Sequence, residues 1–466
     1  VMSSTRNLRK SVLSIAMGLC LSSLAMAPVY AQSATGSVAG RATAGDQVTI
    51  VNSATGASRT VTVGTDGSYR LSQLPVGDYS LQVTRAGQAV GSPLQVNVPL
   101  GGTATINLGG EGGLTNLDTV QVVGSRVINR VDVYSTETAT NISREELARV
   151  PVDQTLGSVA LLAPGVLSGN SSFGGISFGG SSVAENSVFI NGLNVTDFYR
   201  RQSFSTVPFA FYEEFQVKTG GYSVEFGRST GGVINAVTRR GSNVFKGGIQ
   251  TTFEPAAWHA EGDDHYYADG SVNVRSSHDR TSFTKANVWG SGPLVKDRLF
   301  LFAMYEWRDN PSRFTNAAGN SLSRRESSNG FWGGKLDWQI NDDHLLELLA
   351  FSDAGDSLTK VYTYNCDTAS VGAAAPSQSS SSGGGKNGSI TYTGHFGENF
   401  TAKAMYGINR SSSFIRSPAD ELCNWVTYNN ASYGAVYRAM GSPVLGCHPG
   451  SNVISHEDER KAKRLD

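Results

Sequence analysis

What the sequence has little of narrows the fold first. After residue 31 no apolar run approaches the ~18 residues that a membrane-crossing helix needs. A membrane location would therefore require a closed barrel of strands, the other structure that satisfies every backbone group internally. Histidine is scarce, 7 in 466 residues, and the first is His259. A zinc centre with imidazole ligands is thus excluded from the strand-rich N-terminal region. Neither sign of charge dominates: the formal net charge is -1, which offers no global field for nucleic acid. The hydrophobic share is 39%, low for a helical membrane protein. No HExxH, CxxC, Ser/His/Asp set or paired-carboxylate arrangement stands out, so no enzyme, cofactor or metal is expected.

Cysteine is rarer still. Cys20 lies in the N-terminal segment, and Cys366, Cys423 and Cys447 all come late. An odd set in an exported chain implies one bridge and a leftover thiol, or a partner outside this sequence. A Cys423–Cys447 bridge would close a loop of about 24 residues, constraining it by about 3 kcal/mol in the chain-entropy model. Cys366 is the competing partner.

What is abundant is glycine, 54 residues, against an average usage of roughly 7%. Arg6, Arg9 and Lys10 give a basic start, residues 11–24 a short apolar stretch, and Val29-Tyr30-Ala31 a cleavage pattern. Residues 1–31 are therefore expected to be a signal peptide. Leu19 precedes Cys20 where a lipoprotein signal needs a small residue, which argues against that alternative.

Residues 34–108 hold short alternating runs at 47–52, 58–63, 68–71, 79–84, 94–98 and 103–108, separated by turn signals. Such spacing predicts a small β-sandwich. Thr65-Asp66-Gly67-Ser68-Tyr69 followed by Leu74-Pro75-Val76-Gly77-Asp78-Tyr79 resembles the carboxypeptidase regulatory-like (transthyretin-like) domain. Without histidine it is expected to be non-catalytic.

A glycine-rich linker, 109–124, contains Leu117, Asp118, Thr119, Val120, Gln121, Val122 and Val123. An acid followed by an alternating β-branched run can add as a strand to another protein's sheet. The segment resembles a TonB box; it equally fits an ordinary edge strand or linker. Beyond it, Ser143 and Glu146 form a capping box for a short helix, and Asp153 caps a second one ending near Pro164-Gly165. Two paired runs follow, 187–190 before Asn191-Gly192 and 215–219 before Gly220-Gly221, Asn-Gly being a strong hairpin signal.

Four segments then occur in order: Val188-Phe189-Ile190-Asn191-Gly192, Glu213-Glu214-Phe215-Gln216-Val217-Lys218, Tyr222-Ser223-Val224-Glu225-Phe226-Gly227-Arg228, and Gly231-Gly232-Val233-Ile234-Asn235-Ala236-Val237-Thr238. They end at Arg239-Arg240-Gly241. This series resembles the plug domain of TonB-dependent outer-membrane receptors and places it at 125–241. Asn191, Gly192, Glu214, Val217, Gly227, Arg228, Gly231, Gly232 and Asn235 carry the motif.

From Lys246 onward the hydrophobic period becomes two. Trp332, Gly334, Leu336, Trp338 and Ile340 alternate with Phe331, Gly333, Lys335, Asp337 and Gln339; 389–396 and 400–409 behave alike. These lengths suit tilted membrane strands with an apolar lipid face and a polar lumen face. A large soluble antiparallel sheet also alternates. Loop lengths favour the barrel: 293–297, 341–342 and 397–398 are tight, whereas 310–328, 352–387 and 411 onward are long, polar and expected to be irregular. Residues 292–302 resemble the Oar-like branch of the receptor family, which carries the same type of N-terminal sandwich. Seven strands are expected in 245–466, against about 22 in a closed receptor barrel, so the barrel is expected to be incomplete. The charged stretch 456–466 lacks the pattern of a closing strand.

Two smaller candidates remain. His259, Glu261, Asp263, Asp264 and His265 form a His/acid cluster, more simply read as a solvated loop than as a metal site. The repeated Ser172-Phe173-Gly174-Gly175 and Ser177-Phe178-Gly179-Gly180 lack the lysine of a phosphate loop and suit a plug loop near ligand. The fold expected is mainly β: sandwich, α+β plug, then the first strands of a transmembrane barrel. The resemblance implies an outer-membrane receptor that takes up an extracellular ligand, contacts membrane lipid and is coupled to TonB, with plug and sandwich on the periplasmic side. The alternative is a non-transporting adhesin or structural protein using the sandwich and outer loops.

Overall fold

The computed structural model describes residues 34–108, 137–147, 149, 156–169, 175–197, 205–222, 226–227, 229–398, 400–416 and 456–465. The expected signal peptide, the TonB-box-like segment, Arg228, Cys423 and Cys447 lie outside the described residues.

Seven strands open the fold: β1 (Thr35–Arg41), β2 (Gln47–Asn52), β3 (Ser58–Thr62), β4 (Ser68–Pro75), β5 (Gly77–Arg85), β6 (Gln88–Val98) and β7 (Thr103–Thr105). They make two sheets, β4-β1-β7 and β3-β2-β5-β6. Their inward residues, among them Val38, Leu71, Val48, Ile50, Leu81 and Val98, form one core. Each such fully buried side chain contributes about 1.5–3 kcal/mol. The turn motif has a clear role: the Tyr79 hydroxyl donates to the Pro75 carbonyl at 2.7 Å, closing the corner between β4 and β5. Strand β1 is absent from the six runs read in the sequence. Its glycines hide it, and they are there because backbone presses on it: a Cβ at Gly40 would lie 1.7 Å from the Ile106 carbonyl oxygen.

The next unit holds β8 (Thr138–Ser143), α1 (Arg144–Leu147), α2 (Leu156–Ala160), β9 (Val166–Ser168), β10 (Ile176–Phe178), β11 (Ser187–Ile190), β12 (Leu193–Asn194), β13 (Tyr212–Gly220) and β14 (Val233–Thr238). The capping box forms at α1, with Ser143 N–H donating to Glu146 Oε2 at 2.8 Å and Glu146 N–H to Ser143 Oγ at 3.3 Å. Asp153 lies outside the described residues. The main sheet runs β12-β11-β14-β13-β8. The two runs expected to pair, 187–190 and 215–219, do not touch as strands. Strand β14 lies between them, parallel to β11 and antiparallel to β13. All six β14 residues are buried, so it takes the centre, the position that covers both faces.

The remainder is β15 (Lys246–Glu254), β16 (His265–Tyr266), β17 (Val272–Val274), β18 (Arg280–Thr281), β19 (Phe283–Val295), β20 (Leu299–Asp309), β21 (Ser312–Thr315), β22 (Ser321–Asn329), β23 (Phe331–Asn341), β24 (His344–Ser352), β25 (Gly355–Asn365), β26 (Ser370–Phe396), β27 (Phe400–Arg416) and β28 (His456–Leu465). Twelve of these form one sheet, with β15-β19-β20-β23-β24-β26 in sequence, β27 and β28 following β26, and β25, β22, β21 and β18 branching from it. Among the described residues the sheet does not close on itself.

One expectation fails here. The stretches 310–328 and 352–387 are not irregular but carry β21, β22, β25 and the first part of β26, which extend the sheet through continuous antiparallel ladders. The Ser/Gly tract within β26 has no apolar alternation to reveal it, yet backbone pairing does not require one. The charged stretch at 456–465 also pairs its backbone, antiparallel to β27. No helix among the described residues is long and apolar enough to cross a membrane.

Candidate functional site: a plug seated between a strand wall and a sandwich

The motif residues of the five-stranded unit are mostly there to fix its turns. Asn191 and Gly192 both have positive φ, +48° and +83°, which sets the tight β11–β12 hairpin. The Asn191 amide also clamps the end of β14, accepting from Thr238 N–H at 3.0 Å and donating to Thr238 Oγ1 at 2.7 Å. Gly232 is required by proximity: a Cβ there would sit 2.1 Å from the Phe178 ring. Its N–H donates to Asn186 Oδ1 at 3.0 Å, and Gly231 packs against the same side chain. Gly227 is exposed.

The sheet has two unlike faces. One carries Val217, Phe215, Ile234 and Ala236 and packs into a core that includes Phe302, Met304, Phe331, Leu349 and Phe351 of the large sheet. Phe211, fully buried just before β13, is the wedge. Its ring centroid lies 5.1 Å from Phe331, 5.7 Å from Phe302 and 6.2 Å from Phe351. Gly333 makes room for it, since a Cβ there would meet the Phe211 ring at 2.6 Å. The inner wall is therefore not uniformly polar, as alternation alone implied. Where the Phe211 wedge touches it, the inward residues Phe302 of β20 and Phe331 of β23 are aromatic, because they face protein and not water.

The other face is polar at its centre, beside a small apolar cluster of Phe189, Phe226 and Val233. Glu214 accepts from Leu100 N–H at 3.1 and 3.2 Å and from Asn141 Nδ2 at 3.1 Å, while Gln216 Nε2 donates to the Leu100 carbonyl at 2.8 Å. Leu100 belongs to the sandwich corner after β6, so this cluster joins the two domains. Burial pushes the Glu214 carboxyl up to about 8, against the stabilising bonds from Leu100 and Asn141. Asn235 lies beside Gln216, 1% exposed, with no hydrogen-bond partner for its amide among the described residues. Lys218, wholly buried, donates to Glu137 at 2.5 Å and lies over the Phe226 ring at 4.7 Å.

The junction from plug to wall is ionic. Arg240 meets Asp337 at 3.3 Å and Glu347 at 3.0 Å, and Lys335 meets the same two acids at 3.3 and 2.7 Å. Arg239 instead lies over the Trp289 ring at 3.6 Å. At the far side of the plug, Thr206 N–H donates to Asp353 Oδ2 at 2.6 Å, an acid that also accepts from Gly385 N–H at 3.0 Å.

The sandwich sits on the tight turns of the large sheet. Ser58 Oγ donates to Asp342 at 2.9 Å and Thr62 Oγ1 to Glu398 at 2.9 Å. Asn243 Nδ2 bridges the Thr55 carbonyl at 3.0 Å and Asp297 at 2.7 Å. All three short connections thus face one domain. Sequence reasoning missed this seat because its side-chain pairs join positions far apart in the chain, and the Leu100 corner because Leu100 contributes only backbone, which leaves no mark on residue choice.

The remaining candidates scatter. In the His/acid stretch, Asp264 accepts from Ser276 and Ser277 N–H and lies 3.7 Å from Arg275, Glu261 pairs with Arg280, and His259 and His265 are exposed. Among the described residues no group of three His, Cys, Asp or Glu is placed to hold a metal. Cys366 is a half-buried thiol accepting from Arg275 at 3.4 Å. Ser177 and Phe178 belong to the β9–β10 hairpin and Gly179 follows it; residues 171–174 are outside the described set. Outward positions on the membrane-length strands are large and apolar, including Tyr305, Trp332, Trp338, Ile390, Phe396, Phe400 and Tyr406.

Comparison with known proteins bears on this arrangement. Residues 34–109 match the Carboxypeptidase regulatory-like domain, and residues 132–233 match the TonB-dependent Receptor Plug Domain. The TonB-dependent transporter Oar of Myxococcus xanthus is 31% identical over 320 residues, covering 64% of this chain and 28% of that protein. The chain therefore spans well under half the length of that relative. Among solved structures, the siderophore receptor PirA of Acinetobacter baumannii is 15% identical over 70% of this chain and 44% of its own, with a TM-score of 0.42. A ferric enterobactin receptor of Pseudomonas aeruginosa is 17% identical over 59% and 41%, with a TM-score of 0.40.

Proposed function

We propose that this chain, a TonB-dependent receptor sequence with an N-terminal regulatory-like domain, works in the outer membrane as an energy-coupled importer of an extracellular ligand. The observation that carries the reading is the plug's seating. A compact sheet is wedged by Phe211 against a wall of membrane-length strands and tied to that wall by Arg240, yet shares no ladder with it. A stopper that shares no backbone ladder with the wall can shift without breaking the wall's own pairing. The outward aromatic and aliphatic residues suit lipid contact, and the sandwich on the short turns suits the periplasmic side.

In this reading an extracellular ligand binds the outer extensions and the upper plug. TonB then pairs with Leu117–Val123 and pulls, shifting the plug enough to open a path. A plug must be an element of low local stability to do this. Energy-dependent uptake of candidate ligands by cells with and without the complete gene tests the function. Val120→Pro in the full-length protein tests the coupling segment: proline removes a ladder donor, so uptake is expected to vanish while outer-membrane level and ligand binding persist. Normal uptake in that variant would sink the assignment.

A further inference from the structure

Where the sandwich, the plug and the large sheet meet there is a cavity of about 370 Å³. Its lining carries six cations, Arg144, Arg239, Arg240, Lys246, Lys335 and Lys403, against three anions, Asp78, Glu213 and Glu347. Part of that excess is already matched. Arg240 and Lys335 share Asp337 and Glu347, Arg144 lies 3.7 Å from Glu213, and Asp78 accepts from Asn97 on the sandwich at 2.8 Å.

Arg239 stands apart. It is 7% exposed, its guanidinium is stacked on Trp289, and it donates to a neutral acceptor, the Ala210 carbonyl, at 3.2 Å. Among the described residues no carboxylate lies within ion-pair distance of it. Burial, with the Arg144 charge adding to it, pulls this guanidinium down to about 10. Glu213 and Glu145 act on it only beyond ion-pair distance, so its charge is incompletely compensated; a buried cation in that position is costly, and its planar donors suit an oxyanion bound by two oxygens. Lys246 on β15 and Lys403 on β27 add positive charge to the same space, and the hydroxyls of Ser389 and Thr391 line its wall.

We infer that this cavity is a binding site for a small, multiply charged oxyanion, a phosphate or a polycarboxylate, with Arg239 as its principal ligand. The volume falls at the small end of the ~300–1,000 Å³ typical of small-molecule sites, which excludes a folded partner. The inference rests on the receptor reading for its place at the periplasmic exit of the path, though not for the binding itself. There it would receive an anionic solute that has passed the plug, so it adds a charge class to the ligand.

Equilibrium dialysis of the purified full-length protein at low ionic strength, with radiolabelled phosphate and citrate in separate arms, tests it. One equivalent is expected to bind per chain, and the tighter arm assigns the phosphate or carboxylate class. Arg239→Gln is expected to weaken binding about tenfold, as for loss of a charge-assisted bond. Because that change also removes a stacked side chain, Lys246→Gln, on an exposed strand position, is the second variant, with a weakening of about threefold expected from one partly screened charge. Lys296→Gln on the β19–β20 turn should bind as the unchanged protein does. Absence of binding at millimolar concentrations of both anions, or binding unaltered in both Arg239→Gln and Lys246→Gln, overturns the inference. Uptake by cells is a separate readout: binding can fail while energy-dependent uptake proceeds, and uptake can fail while the anion binds.

Discussion

The sandwich and the plug are both small β units, yet they keep their cores in opposite ways. Every residue of the sandwich core comes from the sandwich itself, between Val38 and Val98. The plug core is borrowed in part, since Phe302, Met304, Phe331, Leu349 and Phe351 of the wall complete it. A domain with its own core keeps its shape wherever it goes. A domain that needs the wall to bury its apolar face is stable only in place. The difference teaches where motion is allowed: the plug can be loosened by parting it from the wall, whereas the sandwich can only be moved whole.

The sharpest way to break this comparison is to truncate the wedge. Phe211→Ala should cost the plug about 3–5 kcal/mol, the usual penalty for removing a buried phenyl ring. Hydrogen exchange should rise across β11, β13 and β14 and leave β2 and β5 unchanged; equal protection in the plug would show that its core is its own. Leu71→Ala is the converse, at about 2–5 kcal/mol. It should lower the thermal transition of the sandwich alone, and a matching loss in the plug would show that the two cores are one.

The joint between the domains should respond to pH. Glu214 has its carboxyl raised to about 8 when docked, from an ordinary value of 4.5. A raised value means that the docked state holds the proton, so its contribution is complete below the ordinary value and is lost as pH rises through about 8. Energy transfer between dyes on the sandwich and on the rim of the large sheet should therefore fall between pH 5 and about 8.5. Glu214→Gln, which keeps the acceptor for Leu100 N–H, should flatten that curve; an unchanged curve would place the proton elsewhere. The smallest effect is expected from Tyr79→Phe, which removes one hydrogen bond to Pro75 and should cost the sandwich about 0.5–1.5 kcal/mol without altering docking.

What was legible in the sequence follows the same division. Turns set by residue type could be read: Asn191-Gly192 announces its hairpin, Ser143 and Glu146 their cap, and the alternation of 331–340 the two faces of β23. Features set by backbone could not. Strand β1 is disguised by the glycines its neighbours require, and the serine tract in β26 pairs without any apolar signal. The central place of β14 depends on contacts with strands distant in sequence, which no local period encodes. For the candidate site, the motif residues were visible as a set, but their partners were not: Leu100 contributes only its backbone to Glu214, and Arg239 finds its aromatic partner 50 positions on, at Trp289.

The order of strands in the plug sheet has one more consequence. Strand β8, the first of the unit among the described residues, occupies an edge, whereas β14, the last, sits in the middle and runs on through Arg239 and Arg240 toward β15. Whatever is lost from the front of the plug is thus lost from a margin, while the strand that continues toward the wall keeps neighbours on both sides. The sheet carries its own template: were the front of the plug to part, β8 would return to the ladder that β13 forms with β14. Restoration then means adding one edge strand to an existing sheet, a short search that need not begin again from an unfolded chain.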